Sequence, residues 1–367
     1  MERRENDPIL GDATRTHGSN PARCGQRSGI RFPAPRFSPH RVLGPISPIR
    51  RLAHSPIRPL ALICALRETA LIDAAAIEGR TNLPNLIMKL LRYGPKGQEK
   101  PGLLDNDAKI RDLSGVITDI VGPALAEESL ATLRALDLAA LPVVPGEPRI
   151  GACVGSVGKF IGIGLNYADH AAETGAAIPK EPVVFSKWVT CVSGCNDDIQ
   201  IPPGSTKTDW EVELGVVIGK TARRVSETEA LNYVAGYCVV NDVSEREYQI
   251  ERGPTWDKGK GFDSFGPIGP WLVTKDEVPD PQNLQLWLEV DGVRRQSGTT
   301  KTMVFSVATL VSYLSRIMTL NPGDVIATGT PPGVGMGMKP PVYLRPGQVV
   351  RLGVDRFGEQ RQQTVQA

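Results

Sequence analysis

Histidine is scarce in this chain: there are four in 367 residues, and His17, His40 and His54 all precede residue 88. His170 is the only imidazole left for the rest of the protein. Lysine is absent from residues 1–87, which carry thirteen arginines and seven acidic residues, a net of +6 against +2 for the whole chain. The remainder is therefore mildly acidic, and aromatic residues make up only 5% of the chain. Such a body argues against nucleic-acid binding. None of the six cysteines (Cys24, Cys64, Cys153, Cys191, Cys195, Cys238) forms a Cys-x-x-Cys pair. Cys191-x-x-x-Cys195 has no second pair to complete a zinc site. Reduced thiols and no export signal point to the cytoplasm. The apolar piece Leu60–Leu66 is far too short to span a bilayer and runs into Arg67 and Glu68. There is no internal repeat.

The first 87 residues read differently from the rest. Arg31-Phe-Pro-Ala-Pro-Arg36 and Pro45-Ile-Ser-Pro-Ile-Arg-Arg51 typify a stretch without helix or strand period. It cannot bury enough apolar surface to offset its chain entropy. The basic, apolar, small-residue order of a secretory signal is missing. An arginine-rich transit peptide is one reading. The reading adopted is translation from a misplaced start, with Met88-Lys-Leu-Leu-Arg-Tyr-Gly as the natural beginning. The intact mass of the native protein is then expected to exclude residues 1–87.

Residues 88–150 read as a small N-terminal α/β domain. A strand is expected at Met88–Tyr93, a hairpin over Gly102–Asp105 and Lys109–Leu113, and a helix over Glu127–Leu136, where Leu130, Leu133 and Leu136 recur at helical spacing. Leu141–Gly151 reads as a linker. From 151 to 367 the apolar runs are short and separated by Gly/Pro punctuation rather than by crossover helices. They are Phe160–Gly164, Val183–Phe185, Val212–Ile218, Ala235–Val240, Trp271–Val273, Leu284–Val290 and Val349–Val354. The expected fold class is α+β, with a mixed β-roll or sandwich-like body. Two helices are expected, at Ser226–Val234 behind a Ser226-x-x-Glu229 capping box, and at Val304–Leu320.

In Trp210-Glu211-Val212-Glu213-Leu214 a strand would turn both carboxylates to one face and Trp210, Val212 and Leu214 to the other. A plain half-buried strand looks the same. The run Gly236–Val240 then delivers Asn241 and Asp242. Three carboxylates on two neighbouring strands would make a site for a hard cation, Mg²⁺ or Mn²⁺. His170 and Glu173 share a face if they lie on a helical turn. That pairs a base with a carboxylate that orients it, or is a surface pair. Lys260, between glycines, is either an exposed loop lysine or a group that stabilises developing negative charge, with Gln249 as a neutral donor beside it. Thr328-Gly-Thr-Pro-Pro-Gly-Val-Gly335 lacks the ending of a phosphate loop. It is a structural turn, or a rigid loop whose amides and Thr330 hydroxyl bind a substrate carboxylate.

Taken in order, these motifs resemble the fumarylacetoacetate hydrolase family. The matching pieces are Gly162-Ile-Gly-Leu-Asn-Tyr167 with His170 and Glu173, Asp209-Trp-Glu-Val-Glu-Leu-Gly215 and Asn241-Asp-Val-Ser-Glu-Arg246. Gly259-Lys-Gly-Phe-Asp263, Gly266-Pro-Ile-Gly-Pro270, Pro322-Gly-Asp324 and Thr328–Gly335 complete the set. The resemblance covers 88–367 and none of 1–87. It implies a homodimeric enzyme acting on a small molecule, with Mg²⁺ or Mn²⁺ held by Glu211, Glu213 and Asp242. It implies a His170–Glu173 pair on a segment that orders over substrate, with Lys260 and Gln249 as oxyanion-stabilising groups. Tyr167, Arg246 and Thr330 would contact substrate. Within the family the chain looks most like bacterial hydrolases of 2,4-diketo-3-deoxy sugar acids, which cleave C3–C4 to release pyruvate. Ureidoglycolate lyase, oxaloacetate decarboxylase and dienedioate isomerase activities are the alternatives at the same kind of site. Two departures stand out: Gly261, where relatives usually carry Ser or Cys, and the Val189–Cys195 stretch.

Overall fold

The computed structural model describes residues 88–367, so the readings made on 1–87 lie outside the described residues. In chain order the first strands are β1 (Lys89–Tyr93), β2 (Lys100–Leu104), β3 (Ile110–Asp112), β4 (Phe160–Gly164), β5 (Val183–Lys187), β6 (Val192–Ser193), β7 (Ile199–Ile201), β8 (Thr208–Asp209) and β9 (Val212–Ile218). They continue with β10 (Val234–Asn241), β11 (Ser244–Glu245), β12 (Gly266–Thr274), β13 (Gln285–Val290), β14 (Val293–Thr299), β15 (Val325–Ala327), β16 (Val349–Val354) and β17 (Glu359–Gln366). The α-helices are short: α1 (Glu127–Arg134), α2 (Ala168–Thr174), α3 (Asp257–Lys260) and α4 (Val307–Ile317). This is the mixed, strand-rich α+β architecture expected from the sequence. Among the described residues no helix is long and apolar enough to cross a membrane.

Ten strands form one sheet in the order β3-β2-β1-β12-β10-β9-β15-β4-β5, with β6 paired to β12 off that path. Five form a second sheet, β14-β13-β16-β17-β7, and β8 and β11 make a separate pair. Most neighbours are antiparallel, while β15–β4, β17–β7 and β12–β6 are parallel. Strand β9 lies inside the large sheet, and all seven of its residues are buried. Cover on both faces explains why Val212–Ile218 reads as a nearly continuous apolar run. It also rules out the plainer reading of Glu211 and Glu213, because neither carboxylate faces water. Residues 88–150 add β1, β2 and β3 to this sheet through β1 against β12. Met88, Leu90, Leu103, Leu130 and Leu133 belong to the same core as Val212, Leu214 and Val240.

Two helix expectations change. Ser226–Val234 contains only a 3₁₀ turn at Ala230–Tyr233, and Ser226 Oγ pairs with Thr228 Oγ1 instead of capping a helix. The amides of Gly219 and Lys220 both donate to Tyr233 O, which draws this segment into β10. The longer helix shrinks to α4, where Ser306 accepts from Thr309 N at the N-cap. Met318 is extended beyond its end, and Leu320 bridges to Ala222.

Candidate metal centre and active site

The β9–β10 register assembles the acidic cluster. Val240 lies opposite Glu213 and Asn241 opposite Val212, so the next residue, Asp242, falls opposite Glu211. Asp242 N donates to Glu211 O at 2.9 Å. Directly opposed residues share a face, as do residues two apart on one strand. The outcome is that one oxygen from each of Glu211, Glu213 and Asp242 lies within 4.8 Å of the others, with all three residues buried.

Three cations surround this cluster. Lys260, at the end of α3, reaches Glu211 Oε2 at 2.8 Å and Asp242 Oδ2 at 2.7 Å. Lys187, at the end of β5, reaches Asp242 Oδ1 at 2.6 Å. Arg246 Nη1 reaches Glu211 Oε1 at 2.7 Å. Burial pushes the Glu211 carboxyl up, but Lys260 and then Arg246 outweigh it and hold the group down at about 2. Glu213 behaves oppositely. Burial, then repulsion from Asp242 and Glu211, pushes it well above the ordinary carboxylate range, against the Lys260 charge and one hydrogen bond from Gly329 N at 2.8 Å. The cations contact Glu211 and Asp242 directly, and Glu213 makes no ion pair of its own among the described residues. An all-carboxylate oxygen set suits a hard divalent cation, and Glu211, Glu213 and Asp242 are the residues to hold it.

His170 and Glu173 do lie on one helical turn, in α2, with Nδ1 3.0 Å from Glu173 Oε2. An ionised carboxylate only accepts, so Nδ1 is the donor in this contact and Nε2 is the ring's second nitrogen. Glu173 is held in turn by Gly333 N, at 3.0 and 3.2 Å from its two oxygens. Gln249 is buried on the turn Glu247–Glu251, and its Oε1 accepts from Arg246 Nη1 at 2.9 Å. Its amide nitrogen is thereby left as a donor. His170, Glu211, Glu213, Arg246, Gln249, Lys260 and Thr330 all line one cavity of about 200 Å³.

Tyr167 departs from its expected place. It is completely buried at the N-cap of α2, does not line that cavity, and its hydroxyl has no hydrogen-bond partner among the described residues. Burial, then Glu213 and Asp169, push the phenol well above its ordinary value. In the Thr328–Gly335 loop the amides of Gly329, Gly333 and Gly335 are taken by protein carboxylates. Thr330 Oγ1 donates to Val212 O at 2.9 Å and accepts from Gln296 Nε2 at 2.8 Å. Reading the sequence gave no role to Lys187, Asp209 or Gln296, nor to the ring wall of Phe185 and Trp256. A signal for that wall was present in β4. A Cβ on Gly164 would sit 2.2 Å from the Trp256 ring, so only glycine lets that ring close on the strand.

The family described as fumarylacetoacetate (FAA) hydrolase, C-terminal, matches residues 159–365. The chain belongs to the fumarylacetoacetate hydrolase family. A protein of Burkholderia ambifaria (strain MC40-6), provisionally named a hydrolase without a stated substrate, is 72% identical over 278 residues, or 76% of this chain and 99% of its own. Among solved structures, a fumarylacetoacetate hydrolase from the psychrophile Exiguobacterium antarcticum is 34% identical with a TM-score of 0.69, over 76% of this chain and 100% of that one. Maleylpyruvate hydrolase from Sphingobium sp. SYK-6, solved with manganese(II) and pyruvate, is 28% identical with a TM-score of 0.64 over the same shares. A 5-carboxymethyl-2-hydroxymuconate delta-isomerase from Mycobacterium smegmatis is 31% identical with a TM-score of 0.59, over 76% of this chain and 99% of that one. As a member of the fumarylacetoacetate hydrolase family, the chain carries an enzyme fold, and its buried acidic triad stands where two sheet strands meet.

Proposed function

We propose that this protein is a metal-dependent hydrolase that cleaves the C3–C4 bond of a 2,4-dioxo acid, releasing pyruvate and a second acid. The observation that carries the reading is one small cavity lined by Glu211 and Glu213 of the acidic triad, by His170, which Glu173 holds from behind, and by the neutral amide of Gln249. The maleylpyruvate hydrolase of Sphingobium, solved with manganese(II) and pyruvate, supports it and makes Mn²⁺ the first cation to test, with Mg²⁺ second.

A divalent cation on Glu211, Glu213 and Asp242 supplies Lewis-acid charge for a 2-oxo carboxylate. His170, held by Glu173, takes a proton from water at Nε2. The hydroxide adds to the C4 carbonyl carbon, and the Gln249 amide donates to the oxygen that becomes negative. Two of the three Lys260 N–H groups are committed to Glu211 and Asp242, which leaves one for the same oxygen. The C3–C4 bond then breaks with its electrons passing to C3, and protonation there completes pyruvate. One water is consumed and no redox partner is needed.

The rest of the wall is apolar: Ile163, Leu165, Phe185, Ile250, Trp256 and Met336. Such a surface offers little to the hydroxyls of a sugar-acid tail and suits a short aliphatic or unsaturated tail. The test is pyruvate release by the full chain from a panel of 2,4-dioxo acids, with Mn²⁺, with Mg²⁺ and with EDTA. The panel includes short acylpyruvates and 2,4-diketo-3-deoxy-L-fuconate. EDTA-sensitive release, fastest from the acylpyruvates, is expected. Fastest release from the fuconate derivative restores the sugar-acid reading. The Mycobacterium smegmatis isomerase favours a second reading, enol–keto isomerisation, which needs no hydrolytic water. Turnover of a dienedioate without pyruvate release would select it, and release of glyoxylate would select a ureidoglycolate lyase.

A further inference from the structure

Asp209 does not line the cavity and is not one of the acidic triad, yet it is fully buried and accepts four hydrogen bonds. Oδ1 accepts from Trp210 N at 2.8 Å and Gly335 N at 2.7 Å. Oδ2 accepts from Met336 N at 3.0 Å and Arg246 Nε at 2.8 Å. These donors fill the roughly four acceptor positions of a carboxylate. Arg246 in turn divides Nη1 between Glu211 Oε1 and Gln249 Oε1. The turn that holds Asp209 also holds Glu173 through Gly333 N, and the same loop holds Glu213 through Gly329 N. Gly333 has φ +107°, and a Cβ there would lie 1.9 Å from Arg295 O, so the turn admits no side chain.

We propose that Asp209 is a positioning residue: it neutralises Arg246 and fixes its direction, so that Arg246 orients Glu211 and Gln249 without competing with a divalent cation for Glu211. The argument is one of charge. Arg246 sits 2.7 Å from a carboxylate of the triad and is itself buried. Left uncompensated, its charge would turn wholly toward Glu211 and oppose a dication at the same oxygens. With Asp209 on its other edge, Nε and Nη2 of the guanidinium each lie 2.8 Å from a carboxylate oxygen outside the triad. An asparagine at 209 would keep the size and most of the loop contacts while removing that compensation. Outer-shell partners of metal ligands typically matter by about 10–100-fold in metal affinity.

This inference rests on the reading of Glu211, Glu213 and Asp242 as metal ligands. The experiment is titration of the EDTA-stripped full chain with Mn²⁺, followed by calorimetry and by the free-Mn²⁺ resonance signal. Wild type, Asp209→Asn, Arg246→Lys and Glu213→Gln are compared, with the melting temperature in EDTA recorded for each. Asp209→Asn is expected to weaken Mn²⁺ binding by about 10–100-fold. Arg246→Lys is expected to weaken it too, because an ammonium cannot span Asp209, Glu211 and Gln249 together. A role confined to bracing the loop would lower the melting temperature and leave the Mn²⁺ affinity of the folded protein as in wild type; that result overturns the proposal. If Asp209→Asn does not fold, Arg246→Lys with wild-type affinity overturns it instead. A wild type that binds no Mn²⁺, or Glu213→Gln binding as wild type does, would sink the metal-centre reading itself.

Discussion

Lys260→Met tests the electrostatic account of the site most directly. Methionine matches the length of lysine without its charge, and in EDTA-treated protein Glu211 and Asp242 lose the ammonium that stood 2.8 and 2.7 Å away. Burial alone would raise the Glu211 carboxyl, and Lys260 followed by Arg246 brings it from 4.5 to about 2. A depression of that size is worth about 3 kcal/mol at neutral pH. Arg246 remains in the variant, so part of this is kept, but Asp242 loses the same partner. A broken buried pair typically costs about 3–5 kcal/mol. Taking ~3 kcal/mol, the melting temperature of a protein this size falls by about 4–5 °C. Because the folded pKa is depressed, the stabilisation is present above 4.5, the ordinary value, and is lost as pH falls toward about 2. The gap between wild type and variant is therefore widest at pH 7 and shrinks by about half near pH 3. Thermal unfolding followed by circular dichroism, in EDTA and across that range, reads it directly. Added Mn²⁺ is expected to narrow the gap at pH 7. A gap below about 1 °C at pH 7 in EDTA, or one that widens with acid, refutes the reasoning.

Three further outcomes are expected. His170→Ala keeps Mn²⁺ binding and loses turnover by about 10²–10⁴-fold; wild-type rates in a stopped-flow or coupled pyruvate assay would remove His170 from the mechanism. Gly164→Ala places a methyl 2.2 Å from the Trp256 ring, so the wall must shift. KM for acylpyruvates should rise several-fold with Mn²⁺ affinity unchanged, and unchanged KM would remove Trp256 from the substrate wall. Arg149→Met frees Asp197 and Glu99, which Arg149 contacts at 2.5 and 2.9 Å. Burial raises both carboxyls and Arg149 helps bring both below their ordinary values, so the destabilisation, about 1 kcal/mol, should be present at pH 7. Urea unfolding should show it vanishing as pH drops below about 4, and a larger loss in acid would contradict the assignment.

The site was legible to the extent that local periodicity carries chemistry. Glu211-x-Glu213 on a strand and His170-x-x-Glu173 on a helical turn share faces through backbone geometry alone, and both pairs are formed. Apolar runs marked most strands of the large sheet, including β4 and β9 at the expected limits, and β16 of the second sheet. Strands β14 and β17 left no such mark. In β17 the inward residues are Gln360, Gln362 and Thr364, a period of two written in polar side chains. They are stable inside because Gln360 Nε2 donates to Val239 O at 2.8 Å and Gln362 Oε1 accepts from Asn241 Nδ2 at 3.0 Å. Those partners are more than a hundred residues away, so no local pattern could announce them.

The sequence by itself determined which residues carry charge and proton chemistry, and which of them share a face of one element, since both follow from residue type and backbone period. Only the tertiary structure decided that Asp242 stands opposite Glu211, that Lys187 and Lys260 neutralise it, and that the glycine loop spends its amides on Glu213, Glu173 and Asp209. It also enclosed carboxylates that a strand pattern allows to face water. The physical reason is range. Periodicity acts over a few residues, whereas register, burial and the field of surrounding charges are set by strands that meet only after the chain has folded.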